Sequence, residues 1–196
     1  MKNRVGFLVF FLLSVVLIAQ ASAFPVDVEG LCFSPNGGCT RMIVGEIDHA
    51  QREIRVMAYS FTSAPIGKAL TRAKQRGVDV QVIQDRGEAT RHWSEAKYLL
   101  RAGIPVYLDT EEGLYHDKVI IIDRGKVFTG SFNLSKAAAK SNAENALVID
   151  SGKLANYYLK NWHVHQREDP LMSEDETYRE HRQKGSFTRT FGRFTR

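Results

Sequence analysis

The sequence predicts an α/β sandwich in which a mixed β-sheet is flanked by helices. Short apolar runs such as Glu53 to Phe61 (EIRVMAYSF) and Val78 to Ile83 (VDVQVI) have strand character and alternate with segments of helical period. Strands alternating with helices build a layered α/β domain. Two further apolar runs, Lys118 to Asp123 (KVIIID) and Lys126 to Gly130, are joined by Arg124-Gly125, a tight hairpin that sets two neighbouring strands antiparallel. The 196 residues, 43% hydrophobic and 25% charged, suit one domain or at most two small ones, and exclude a disordered or fibrous chain.

The elements follow in order. Residues 1–23 read as a secretory signal peptide. Lys2 and Arg4 precede an apolar run from Val5 to Ala19, and Ala21-Ser22-Ala23 is an A-x-A cleavage site before Phe24. The run is short for a membrane anchor, which needs roughly 20 apolar residues, and no second run of spanning length follows. The expected product is exported, periplasmic or secreted, with no integral span in the mature chain. Export places Cys32 and Cys39, separated by six residues of a turn-rich stretch, in an oxidising compartment, so one disulfide closing a short loop is expected ahead of a metal site or free thiols.

Thr40 to Gln51 is read as a helix with Thr40 as N-cap, and Ala64 to Arg76 as a second, ended by Gly77. Trp93 to Ala102 is a third, ended by Gly103, and Ile104 to Leu108 the strand after it. Ser135 to Ser141 is a short helix and Glu144 to Ile149 a strand. Lys153 to Arg167 is a helix with Leu154, Tyr157, Tyr158, Asn161 and Trp162 as its inner stripe. Beyond residue 168 the composition turns charged, so the folded domain is expected over 24–168 and a flexible tail over 169–196.

The chemistry concentrates in Tyr115-His116-Asp117-Lys118 and in Gly130-Ser131-Phe132-Asn133. On an extended chain His116 and Lys118 share a face, about 6.5 Å apart along the strand. An imidazole and an ammonium so placed can reach one phosphate. Asp123 has the opposite parity, and a carboxylate would repel a phosphodiester, so it reads as a structural or orienting acceptor. Ser131 and Asn133 again share a face and offer neutral donors to phosphate oxygens, while Gly130 lets backbone approach closely. A His and a Lys two apart are common and usually solvated. Their convergence with Gly-Ser-x-Asn through a hairpin has no evident structural use. His163 and His165 lie about 200° apart on a helix, so they cannot share a metal and read as surface or core-edge residues.

The pattern H-x-K-x4-D followed by x6-G-S-x-N resembles the signature of the phospholipase D superfamily at every position: His116, Lys118, Asp123, Gly130, Ser131 and Asn133. Phe33-Ser34-Pro35, Ala58-Tyr59-Ser60-Phe61-Thr62, Arg76-Gly77-Val78-Asp79-Val80 and Asn142-Ala143-Glu144-Asn145 extend the likeness to the small exported bacterial endonucleases of that superfamily. The Cys32/Cys39 pair and the chain past Asp169 depart from it. The resemblance implies a phospholipase D-like fold and phosphodiester hydrolysis through a phosphohistidine, with no metal or other cofactor. His116, Lys118, Asp123 and Glu144 are then the catalytic set, and Lys118, Ser131 and Asn133 hold the phosphate. Glu144 matches the carboxylate that orients the nucleophilic His. Two histidines are needed and the chain has one motif, so a homodimer is expected. The expected substrate is DNA, with RNA second; a phospholipase or cardiolipin hydrolase is the alternative, and a silent nucleic-acid-binding module the third reading.

Charge does not carry this reading. The formal net charge is +5, but residues 179–196 hold six basic side chains against one Glu, while residues 24–178 hold 19 basic and 21 acidic. Arginines interleaved with Phe187, Phe191 and Phe194 suit a tether for nucleic acid by charge and stacking or a merely solvated terminus.

Overall fold

A computed structural model describes residues 24–173; residues 1–23, read above as a signal peptide, and the basic stretch from 179 to 196 fall outside the described residues. The chain runs β1 (Asp27–Ser34), α1 (Cys39–His49), β2 (Glu53–Ala58), α2 (Ala64–Gln75), β3 (Asp79–Asp85), α3 (Arg86–Ala89), α4 (Ala96–Arg101), β4 (Val106–Asp109), β5 (Lys118–Ile122), β6 (Lys126–Gly130), α5 (Lys136–Lys140), β7 (Glu144–Asp150) and α6 (Gly152–Glu168). The strands form one seven-stranded sheet in the order β1-β7-β6-β5-β2-β3-β4. β2, β3 and β4 are parallel and the other pairings antiparallel, so the sheet is mixed as predicted.

Strand parity sorts the two cores. Ile54, Val56, Val80, Val82, Ile120 and Phe128 pack toward α1, α2, α4 and α5. Met57, Ile83, Val119, Ile121 and Val127 face α6, which covers them with Ala155, Leu159 and Trp162. Both faces of β5 are therefore covered, which is why its sequence is apolar without alternation.

Several expectations need correction. β1 went unread because Gly30 marks a register shift and its outward residues face solvent, so no clean apolar period shows. α1 starts one residue early, with Gly38 (φ 82°) at its N-cap position in place of Thr40. α6 buries Ala155, Leu159 and Trp162, a stripe one residue off the predicted one; Tyr157 and Asn161 point to solvent. Of the predicted stripe Trp162 is fully buried, with the Arg55 guanidinium 5.2 Å above its ring, and Leu154 and Tyr158 pack partly buried against the same core. The packed chain also passes residue 168. Met172 is buried, Pro170 and Met172 bond the β4 backbone, and the tail boundary therefore moves to at least residue 173. Cys32 and Cys39 form the expected disulfide, which ties the end of β1 to the start of α1.

The β5–β6 hairpin turns through Asp123, Arg124 and Gly125, with Asp123 (φ 53°) and Arg124 (φ 58°) left-handed. The strain is held from outside. Asp123 carboxylate oxygens accept the backbone N–H groups of Gln51, Arg52 and Glu53 at 2.9, 2.7 and 3.0 Å, and Arg124 Nε donates to Glu53 Oε1 at 2.7 Å. Partial burial pushes the Asp123 carboxyl up, the three amides pull it down further, and it settles below the usual aspartate range. A depressed folded-state pKa gives stability that is complete above the ordinary value of 3.8 and is lost as pH falls through the folded value. Asp123→Asn is expected to lower stability at pH 7 by about 1–3 kcal/mol. Chemical denaturation should show that gap closing as the pH is taken below the aspartate range; equal stability at pH 7 would contradict the anchoring role.

Candidate active site

β2 and β3 end, and β5 and β7 begin, at one edge of the sheet, where Ala58 pairs with Lys118 and Ser34 with Glu144. β6 delivers Gly130 to the same edge. This follows from the sequence: Val119 to Ile122 are fully enclosed, so the polar residues preceding them must emerge where the sheet stops.

His116 lies two residues before β5, exposed at the end of a loop from Thr110 to Asp117. That loop is fixed at two points. Asp85, the last residue of β3, caps α3 through Oδ1 (Glu88 N–H, 2.9 Å) and accepts the Tyr115 N–H on Oδ2 at 3.2 Å. The Asp117 carbonyl accepts the Tyr59 N–H at 2.9 Å. The Tyr59 ring then meets the His116 imidazole with centroids 4.7 Å apart. Lys118 is 8% exposed, donates Nζ–H to the His116 carbonyl at 2.6 Å and has its ammonium 5.5 Å from the Tyr59 ring centre. Burial pushes the Lys118 ammonium down from the usual lysine range, while Asp117 and Glu144 oppose that fall. A half-desolvated cation of this kind attracts an anion more strongly than one in water.

Across β6, Ser131 exchanges backbone and side-chain bonds with Asn145: its N–H reaches Asn145 O and its Oγ accepts Asn145 N–H, both at 3.1 Å. The hydroxyl hydrogen stays available to a phosphate oxygen. Phe132 is fully buried against Phe128, which pins the turn and turns Ser131 and Asn133 outward on either side. Asn133 Oδ1 is buried without a partner, which leaves the NH2 as the donating end. Gly130 (φ 155°) has no room for a Cβ, which would collide with the Asn145 backbone.

Of the predicted residues, His116, Lys118, Ser131, Asn133 and Glu144 share this edge. Glu144, half-buried at the start of β7, accepts from Asn142 Nδ2 at 3.0 Å and, among the described residues, makes no hydrogen bond to His116. Asp123 is not part of the cluster. It sits at the far end of β5, about 17 Å along the strand from Lys118, with its carboxylate occupied by the amides before β2. Its grouping with the catalytic residues is therefore a correction in which strand parity was the better guide than the motif. Asp85 was missed, and with it the role of the Tyr115 N–H, because nothing local in Gln84-Asp85-Arg86 shows that β3 ends beside a distant loop; Tyr59 was visible only inside the Ala58 to Thr62 segment.

A seven-stranded mixed sheet carrying His-x-Lys and Gly-Ser-x-Asn at one edge defines the class, and comparison with known proteins agrees. Residues 43–164 match the family model described as cardiolipin synthase, PLD-like domain. The chain belongs to the phospholipase D superfamily. It is 47% identical over 131 residues to a phospholipase D of Rickettsia felis, a match that takes in 67% of this chain and 66% of that protein, just under two thirds of its length. It is 32% identical over 111 residues to the mitochondrial cardiolipin hydrolase of Mus musculus, covering 57% of this chain and 50% of the relative. Among solved structures it resembles the phospholipase D family member Nuc of Salmonella typhimurium, with TM-score 0.72, 40% identity, and coverage of 76% of this chain and 100% of that one.

If Asp85 positions His116 through the Tyr115 amide, Asp85→Ala should lower kcat for a small chromogenic phosphodiester about tenfold or more with KM little changed. Asp85→Asn, which keeps an acceptor, should recover part of the loss. Steady-state kinetics read this; a change in KM alone, or equal loss in both variants, would contradict it.

Proposed function

We propose that the protein is an exported, homodimeric endonuclease that hydrolyses DNA, with RNA as a second substrate, without a metal ion. The observation that carries this reading is the exposed His116 imidazole beside the half-desolvated Lys118, with Ser131 and Asn133 as further donors. A ring nitrogen of His116 attacks phosphorus, and the P–O bond to one nucleoside breaks. The second histidine, His116 of the partner copy, gives its proton to the departing oxygen and then takes one from water. That water breaks the P–N bond and frees the enzyme. Lys118, Ser131 and Asn133 offset the charge that develops on the phosphoryl oxygens. Glu144 holds the nucleophilic ring once substrate closes the site.

A second copy has a surface to meet. Val28, Leu31 and Phe33 of β1 are 55%, 56% and 62% exposed, an apolar strip on the edge strand that ends beside Glu144. Contacts to backbone phosphate carry no base information, so cutting is sequence-nonspecific. The likeness to the Salmonella Nuc structure over all of that chain supports a nuclease. The names of the Rickettsia and mouse relatives, a phospholipase D and a cardiolipin hydrolase, support the second reading. Among the described residues no helix is long and apolar enough to cross a membrane.

The two readings separate directly. The mature protein is given supercoiled plasmid, or phosphatidylcholine and cardiolipin liposomes, at 25 °C in excess EDTA. Nicked plasmid with intact lipid is expected, and His116→Asn should reduce it at least 1,000-fold. Lipid cleavage with intact plasmid would overturn the nuclease reading. Activity lost in EDTA and restored by Mg2+ would overturn the metal-free mechanism.

A further inference from the structure

A second cluster of titratable groups lies behind the His116 loop, and the chemistry above leaves it unused. Asp109 closes β4 and is 3% exposed; neither carboxylate oxygen is in a well-formed hydrogen bond, and both are left with weaker contacts to Glu112 and His165. Glu112 stands three residues further along the loop that leads to His116. His165 comes from the last turn of α6. Its Nδ1 lies 3.6 Å from Asp109 Oδ2 and 3.7 Å from Glu112 Oε1, and one donor atom of each residue falls within 4.8 Å of the other two. Two more buried polar groups without partners surround them: both oxygens of Asp169, whose N–H bonds His165 O at 2.8 Å, and the hydroxyl of Tyr115, whose ring packs edge-on to His165.

Three carboxylates and one imidazole gather here, with Arg86 on the wall of the adjoining cleft. A buried carboxylate without a full set of donors is costly. The donor separations also fit one ion. Donors bound to Zn2+ at about 2.0–2.1 Å in a tetrahedron stand about 3.3 Å apart, slightly less than the two measured distances. A mixed imidazole and carboxylate set favours Zn2+ over the all-oxygen preference of Mg2+ or Ca2+. A cleft of about 280 Å3 bordered by Asp109, Glu112 and Gly113 gives access from solvent.

We propose that Asp109, Glu112 and His165 form a Zn2+ site that staples the C-terminal turn of α6 to the loop carrying His116. The ion would act on position and not on the phosphate. Asp109 pairs with Asp85 across β3 and β4, and Asp85 holds the Tyr115 amide. Zinc would therefore fix this loop at Glu112, three residues before the Asp85 contact. The helical spacing that separates His163 from His165 stands; His165 finds its partners on β4 and the loop.

The mature chain, stripped with chelator and dialysed, is titrated with ZnCl2 by calorimetry, with thermal unfolding followed in parallel. One Zn2+ per chain and a raised Tm are expected. Asp109→Asn, His165→Gln and Glu112→Gln should each weaken binding tenfold or more. Glu112 is half exposed, so its variant should keep the fold even if the buried ones do not. His163→Gln and His116→Gln should bind as the unmodified chain does. No binding, binding that survives Glu112→Gln and His165→Gln, or binding lost with His116 would overturn the site. Binding is scored without turnover, so the result stands apart from the nuclease reading.

Discussion

The structure depends on a strand that has no solvent face. Val119 to Ile122 are enclosed by α6 on one side and by the α1, α2, α4 and α5 layer on the other. A chain segment of that kind is stable only inside a sheet, with β2 and β6 paired to its two edges. The polar residues directly before it therefore have one place to go, the end of the sheet. His116 and Lys118 reach that end because the next residues cannot, and the hairpin returns Gly130, Ser131 and Asn133 to the same end after about one strand length.

Electrostatics then distinguish residues of similar type. Lys118 is held between the Tyr59 ring and the His116 carbonyl, partly stripped of water, with Asp117 and Glu144 opposing the fall in its pKa that burial causes. Asp123 keeps its charge at the opposite end for a different purpose, as the acceptor of three amides that ties the β5–β6 turn to the start of β2. Asp85 uses one oxygen to cap α3 and the other to hold the loop before His116. Asp123 and Asp85 are thus placed to organise backbone.

How much of this was legible depended on sequence distance. The pairing of His116 with Lys118, and of Ser131 with Asn133, needed only a two-residue period and a short turn, both visible in the chain. Six of the seven strands also announce themselves by apolar runs. β1 does not, because an edge strand with Gly30 and two acidic residues lacks the pattern. The face of α6 was read one residue off, since small Ala155 carries less weight than exposed Tyr157 in any hydrophobic count. Asp85 and Tyr115, and likewise Asp109, Glu112 and His165, come from separate elements that only the β3–β4 pairing and the packing of α6 bring together.

The composite site is the central claim, and subunit mixing tests it most directly. The mature protein is mixed with increasing amounts of His116→Ala chain under conditions of free subunit exchange, at constant total concentration, and phosphodiester cleavage is measured. If each site needs His116 from two chains, a mixed dimer is inactive and activity falls as the square of the unmodified fraction, to about a quarter at equal amounts. A linear fall, to about half at equal amounts, would mean that each chain carries a complete site and would contradict the account.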